Sequence, residues 1–209
     1  MGDCDQNLKL ITLGESGAGK TKLLIQYKDE NFNESGLSTV GIECYYKKIR
    51  FKNKKVKLLM YDTSGQEKFR TIVANYYKNT DGVVLVFDVT RKSTFTKIEY
   101  WVHEINENAG NDNGTFILFG NKCDLDSERE VSYEEGKALA DKYGISYLEG
   151  SAKTGKNIKE LFIILVRQIM EKKNTLDEPP DDRSNLSYKK SFGPKKEIYK
   201  DLSSKEKCC

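Results

Sequence analysis

Apolar positions recur along this chain in short runs, and the spacing inside each run predicts its conformation. Residues 8–13 alternate Leu8, Lys9, Leu10 and then turn apolar, which predicts a strand. Residues 22–27 read as the first turns of a helix. Two strand-like stretches, 42–51 and 56–61, flank the polar turn 52–55 and predict an antiparallel hairpin. Residues 82–87 and 115–120 are continuous apolar runs, as expected of strands buried on both faces, and residues 145–148 form a weaker third run. Between them, residues 93–108, 132–143 and 157–172 carry apolar side chains at helical spacing. Ser93 and Ser132 stand where N-caps belong, and Glu135, three residues after Ser132, predicts a capping box. Strands alternating with helices predict an α/β fold, a mostly parallel sheet with helices on both faces.

The pattern stops after Lys173. Residues 174–209 hold Pro179 and Pro180, mixed charges and scattered serines without a helical or strand period, which predicts a flexible tail. Residues 1–6 read as a short N-terminal extension and 7–173 as one domain, the organisation that 209 residues suit.

A net charge of +3 is too even to argue for nucleic acid. The first residues lack the charged and apolar regions of a secretory signal, and no apolar run is long enough to span a bilayer. Gln6 stands where a myristoylation motif needs Ser or Thr. Five cysteines without a C-x-x-C, beside one histidine, argue against a zinc site and a disulfide framework. Cys4 reads as an unmodified surface thiol, with acylation the lesser alternative, and Cys44 and Cys123 as small buried hydrophobes. His103 lies in a helical stretch without catalytic company, and Trp101, Ile98 and Ile105 share a core-facing spacing.

Chemistry enters with Gly14-Glu15-Ser16-Gly17-Ala18-Gly19-Lys20-Thr21, which fills every fixed position of G-x-x-x-x-G-K-[ST] between a strand and a helix. In such a loop, glycines let Ser16, Gly17, Ala18 and Gly19 turn their N–H groups toward phosphate. The helix start adds partial positive charge. Lys20 would reach the outer phosphates and Thr21 would ligate Mg²⁺. Asp62, at a strand end in Asp62-Thr63-Ser64-Gly65-Gln66, is the second metal contact. Gly65 would offer its N–H to a γ-phosphate and Gln66 would orient an attacking water. Asn121-Lys122-Cys123-Asp124 reads the base. The Asp124 carboxylate matches the two N–H donors of guanine, and adenine would leave it unpaired, a discrimination of roughly 10⁴-fold or more. Asn121 and Lys122 would brace that loop. Ser151-Ala152-Lys153 completes the base site, with the Ala152 N–H toward the base carbonyl. Thr39 would add a second hydroxyl to Mg²⁺ when a γ-phosphate holds its loop. Phe32 either stacks over the base or packs in a small satellite core.

These residues resemble the small Ras-like GTPases, and within them the Rab family, over residues 7 to about 172. The likeness rests on Val40-Gly41-Ile42-Glu43, Lys68-Phe69-Arg70-Thr71-Ile72, Tyr76-Tyr77-Lys78-Asn79, Leu85-Val86-Phe87-Asp88-Val89-Thr90 and Glu149-Gly150-Ser151-Ala152-Lys153. The resemblance implies a P-loop small G domain with a six-stranded, mostly parallel sheet. It implies a monomer that cycles between GDP and GTP forms and hydrolyses GTP slowly, with Thr39 and Gly65 gating two switches. Its partners would be an exchange factor, a GTPase-activating protein, a GDP-dissociation inhibitor, a prenylation escort protein and effectors. Cys208 and Cys209 resemble the terminal pair that receives two geranylgeranyl chains in this family. At about 0.8 kcal/mol per buried CH₂, two chains anchor stably where one does not. The expected location is the cytoplasmic face of an intracellular membrane, with a soluble pool.

Two departures stand out. The aromatic triad that faces effectors is replaced by Cys44, Tyr61 and Tyr76, and Ser64 stands in place of an alanine. No arginine lies in the phosphate loop, and Ser16 stands where a bulky residue would obstruct one brought by a partner. Ser64 and the altered triad motivate an alternative, a GTP-binding adaptor with negligible hydrolysis. A P-loop ATPase is disfavoured by Asn121 and Asp124.

Overall fold

A computed structural model describes residues 4–30, 39, 41–65, 76–108, 114–177 and 199–201. In chain order the elements are β1 (Gln6–Leu13), α1 (Lys20–Asp29), β2 (Ile42–Phe51), β3 (Lys54–Thr63), β4 (Gly82–Asp88), α2 (Lys92–Thr96), α3 (Ile98–Asn108), β5 (Thr115–Asn121), α4 (Tyr133–Lys142), β6 (Ser146–Glu149), α5 (Ile158–Asp177) and β7 (Tyr199–Asp201). The six expected strands lie in the order β6-β5-β4-β1-β3-β2, and β7 adds three residues outside β2. Pairing is parallel from β6 to β3 and antiparallel for β2 on both sides.

Strand period explains the layering. β4 is buried at every residue. Its Val84 and Val86 face a core built with Leu23, Leu24 and Tyr27 of α1 and Phe162, Leu165 and Ile169 of α5. Val83, Leu85 and Phe87 face the other core, with Ile98, Trp101 and Ile105 of α3. Helices therefore cover both faces, as the alternation of elements predicts.

The parallel strands end together. Thr12 stands beside Asp62, Leu13 beside Leu85, Asp88 beside Asn121, and Gly120 beside Glu149. Loops leaving these carboxyl ends meet over one edge of the sheet, where ligands sit in doubly wound folds.

Four local expectations need correction. The helix expected over 93–108 is two, α2 and α3, and Ser93 lies inside α2 rather than at its N-cap. Arg91 is the N-cap residue, and the Thr94 hydroxyl takes over the local bonding, donating to Arg91 O at 2.8 Å and accepting from the Asp88 N–H at 3.0 Å. Cys44 is exposed, because Tyr45, Lys47, Ile49 and Phe51 take the inward positions of β2. Cys123 is only half-buried. Past Lys173, helix α5 runs on to Asp177, and β7 pairs with β2 inside the segment expected to lack strand structure.

Inward Lys47 is tolerated because its Nζ donates to Tyr27 O at 2.7 Å and lies 4.6 Å from the Tyr27 ring centroid. The capping box forms as expected, with Glu135 N–H donating to Ser132 Oγ at 3.1 Å and Ser132 N–H to Glu135 Oε2 at 2.9 Å. Trp101, Ile98 and Ile105 are core residues, and His103 is exposed beside Glu107. Among the described residues no helix is long and apolar enough to cross a membrane.

Candidate functional site

The loop from Gly14 to Gly19 turns tightly enough that only glycine fits at its tightest points. Gly19 has φ 91° and a Cβ there would lie 2.3 Å from Asn121 Nδ2. A Cβ on Gly14 would lie 2.0 Å from Val86 O. Helix α1 starts at Lys20 without a side-chain cap, so its first N–H groups remain for an anion.

Lys20 is buried, and its Nζ donates to Gly14 O at 2.8 Å and Glu15 O at 3.0 Å. Burial lowers its pKa to about 8, against the pull of Asp62 and Glu15. Three oxygens converge beside it. Thr21 Oγ1 donates to Asp62 Oδ2 at 2.6 Å and lies 2.7 Å from Thr39 Oγ1. Thr39 Oγ1 reaches the same carboxylate oxygen at 3.2 Å. Asp62 is fully buried, its Oδ1 has no hydrogen-bond partner among the described residues, and burial raises its carboxyl above the ordinary range.

A buried carboxylate oxygen left without a donor, beside two hydroxyls, is a donor set made for a hard cation. The residues present fit Mg²⁺, which takes oxygen ligands and is held by few protein groups plus phosphate.

Ser16, Lys20, Thr21, Thr39, Ser64 and Gly65 line a cavity of about 210 Å³ over this cluster. Gly65 packs directly on the phosphate loop, where a Cβ would lie 2.3 Å from Ser16 N. The Ser64 N–H donates to Gly41 O at 3.0 Å, joining the two loops that follow α1 and β3.

The residues expected to read the base form the other half. Asn121 Nδ2 donates to Ala18 O at 2.9 Å and its Oδ1 accepts from the Ala152 N–H at 3.0 Å. That N–H, expected to face a base carbonyl, here braces Asn121 instead. Ser151 Oγ accepts from the N–H groups of Lys153 and Thr154, both at 3.1 Å, and so shapes the third loop. Lys122 takes a left-handed φ of 67° and its Nζ lies 2.5 Å from Asp88 Oδ2. Asp124 follows on the exposed side.

Two residues of this region escape a motif search. Asp88 is buried at the end of β4 and its Oδ2 also accepts from Arg91 Nε at 3.2 Å. Arg91 Nη2 donates to Ser16 O at 2.9 Å, so an arginine from outside the phosphate loop lies against it. Asp88 stands at the carboxyl end of a central strand, the position that would have marked it.

Cys44, Tyr61 and Tyr76 come together on the surface. Cys44 is the register partner of Tyr61, and the Tyr61 and Tyr76 rings lie 5.3 Å apart. Lys9 Nζ stands 5.5 Å and 5.6 Å from those two ring centroids. Gln66, Phe32, Cys208 and Cys209 lie outside the described residues.

Comparisons with known proteins agree with this geometry. The family model described as the Ras family matches residues 9–171. Ras-related protein Rab-8B of Homo sapiens is 45% identical over 170 residues, spanning 81% of this chain and 82% of that protein. GTP-binding protein ypt2 of Schizosaccharomyces pombe is 39% identical over 181 residues, 87% of this chain and 90% of its own. Ras-related protein SEC4 of Saccharomyces cerevisiae is 43% identical over 168 residues, 80% and 77% of the two chains.

Proposed function

This chain belongs to the Ras family of small GTPases, in its Rab branch, and from that premise we propose a membrane-recruited GTP switch in vesicle traffic. The observation that carries the reading is the convergence of Thr21, Thr39 and Asp62 at one end of a site whose other end, Asn121, is bonded to the phosphate loop.

The residues divide the work. Ser16, Gly17, Ala18, Gly19 and Lys20 hold the phosphates through N–H groups and one ammonium. Asn121, Lys122, Asp124, Ser151, Ala152 and Lys153 form the base site, with Asp124 selecting guanine. Thr21, Thr39 and Asp62 would hold Mg²⁺, which neutralises phosphate charge when bound. Gln66 orients water in line with the γ-phosphorus, and Phe32 covers the nucleotide from its loop. Catalysis is positioning and charge stabilisation, with no covalent intermediate. Loss of the γ-phosphate releases the loops of Thr39 and Gly65, and effectors read the change at Cys44, Tyr61 and Tyr76.

Residues 174–209 serve as a tether from the domain at 7–173. Two lipid chains on Cys208 and Cys209 would hold it to the cytoplasmic face of an intracellular membrane. An escort protein would present the chain for prenylation and a GDP-dissociation inhibitor would carry the soluble pool. An exchange factor and an activating protein would drive the cycle.

Single-turnover phosphate release from GTP-loaded protein tests the enzyme reading. Gln66→Leu is expected to slow the step that an activating protein accelerates. Equal rates for wild type and variant, with and without activating proteins, would defeat it. Preferential ATP binding in calorimetry would defeat the choice of base. Imaging of the tagged chain beside one lacking Cys208 and Cys209 tests the anchor, and unchanged membrane localisation counts against it.

A further inference from the structure

The β2–β3 hairpin places like charges directly opposite one another. Lys48 is the register partner of Lys57, and Arg50 of Lys55. All four lie on the face away from the core that α1 and α5 cover, because Ile49, Phe51, Val56, Leu58 and Met60 take the other face. Lys48, Arg50 and Lys55 are exposed, as are Lys52 and Lys54 around the turn, and Lys57 is half-buried. Like charges opposite each other weaken a hairpin. A bare sheet face that bears this cost twice, with no helix among the described residues lying on it, is shaped for an anionic counter-surface.

Three further observations narrow that surface. Tyr46 is 59% exposed on the same face, with Lys57 Nζ 5.3 Å from its ring, the aromatic-plus-cation pairing that suits a membrane interface. β7 then brings the tail to this hairpin, with Lys200 as the register partner of Arg50. The eight residues after β7 end at Cys208-Cys209 and span at most about 28 Å. Two nearby acids are engaged, Asp5 accepting from the Lys55 N–H and Glu43 from the Tyr45 hydroxyl, and Asp201 of β7 pairs in register with Ile49 rather than with a basic position.

We infer that the turn end of this face, from Tyr46 and Lys57 to the turn at 52–54, docks on the anionic leaflet of a membrane and leaves Cys44 and Tyr61 at its other end for effectors, a second contact beside the lipid anchor that fixes how the domain faces the bilayer. The orientation rests on the reading of Cys208 and Cys209 as anchors; the electrostatic contact does not, and is tested without them.

Unlipidated full-length protein loaded with GDP is sedimented with vesicles of phosphatidylcholine alone or mixed with phosphatidylserine, at low and high salt. Wild type is expected to bind only the anionic vesicles and to release in salt. Lys48→Glu/Arg50→Glu places opposite charges across from Lys57 and Lys55. It should raise the melting temperature while lowering the partition coefficient by tenfold or more, on the order expected for removing surface cations. A second variant replaces Lys195, Lys196, Lys205 and Lys207 with Gln and should keep most of the binding. Equal binding to neutral and anionic vesicles overturns the inference. So does unchanged binding by the hairpin variant, loss of binding in the tail variant alone, or preference for duplex DNA over the anionic vesicles. Retention of fluorescent GDP by each sample is read in parallel, so failure of the GTPase reading shows as a separate result.

Discussion

The Lys122 ammonium lies 2.5 Å from Asp88, a buried carboxylate that Arg91 also contacts while donating to Ser16 O of the phosphate loop. Asp88 therefore joins the loop proposed to read the base to the loop proposed to hold the phosphates. Thr90 completes the shell, with its N–H and hydroxyl donating to Oδ1 at 3.0 Å and 2.7 Å.

Breaking this junction is expected to speed nucleotide loss. Arg91 is 45% exposed at its side chain, so its share is modest, and Arg91→Ala should raise the GDP release rate about two- to fivefold. Asp88 is buried and serves both cations, so Asp88→Asn should raise it on the order of tenfold or more. Stopped-flow release of a fluorescent GDP checks both. Slower single-turnover hydrolysis with unchanged release would place Arg91 in the chemical step instead.

Acid should act on the same carboxylate. Burial alone would raise the Asp88 pKa, but hydrogen bonds from Lys122 and Thr90 hold it below the ordinary 3.8. A folded-state pKa below the unfolded one contributes stability that is present above the unfolded value and disappears as pH falls through the folded one. The difference in urea midpoint between wild type and Asp88→Asn is thus expected to stay level from about pH 7 to pH 5 and to close below about pH 4. A gap that widens in acid would contradict the assignment.

Gly65 makes a sharper demand, because its Cα rests on the phosphate-loop backbone. A methyl group there would lie 2.3 Å from Ser16 N and 2.6 Å from Gly14 O, so Gly65→Ala must move its loop outward. Misplacement by about 1 Å is enough to cost a reaction up to about a hundredfold. Single-turnover GTP hydrolysis should fall at least about tenfold, while GDP affinity stays within about threefold because the base site is untouched. Equal loss of GDP binding would mean that the phosphate loop itself had been distorted.

Much of this was legible in the sequence, for physical reasons that differ by element. Continuous apolar runs gave away β4 and β5, because a strand buried on both faces has no polar side to confuse the pattern. The phosphate loop, Asp62 and Asn121, which the structure brings to one edge of the sheet, could be picked out because their chemistry fixes residue type at fixed spacing. Cys44 was misplaced because buried Lys47 disguises the inward face of β2, a lysine held there by the Tyr27 carbonyl and ring. The start of α2 was misplaced because Thr94, and not Ser93, makes the local side-chain bonds, to Asp88 and Arg91. Arg91 itself was invisible as a site residue, since its contact with Ser16 spans 75 positions and belongs to no local motif.

Asn121 offers the most direct test of whether the two halves of the site work as one. Its side chain is buried, with Nδ2 donating to Ala18 O and Oδ1 accepting from the Ala152 N–H. Asn121→Ala strands both backbone groups, and each buried group left unpaired costs about 1–3 kcal/mol. Asn121→Asp keeps the shape but sets a carboxylate oxygen against the Ala18 carbonyl, replacing a donor with a repulsion. GDP affinity should fall about a hundredfold or more in the alanine variant, and at least as far in the isosteric one, since the lost donor rather than lost volume is the cause. Calorimetric titration of nucleotide-free protein reads both. If Asn121→Asp binds GDP within about threefold of wild type, the bond to Ala18 O is not what holds the phosphate and base loops in register.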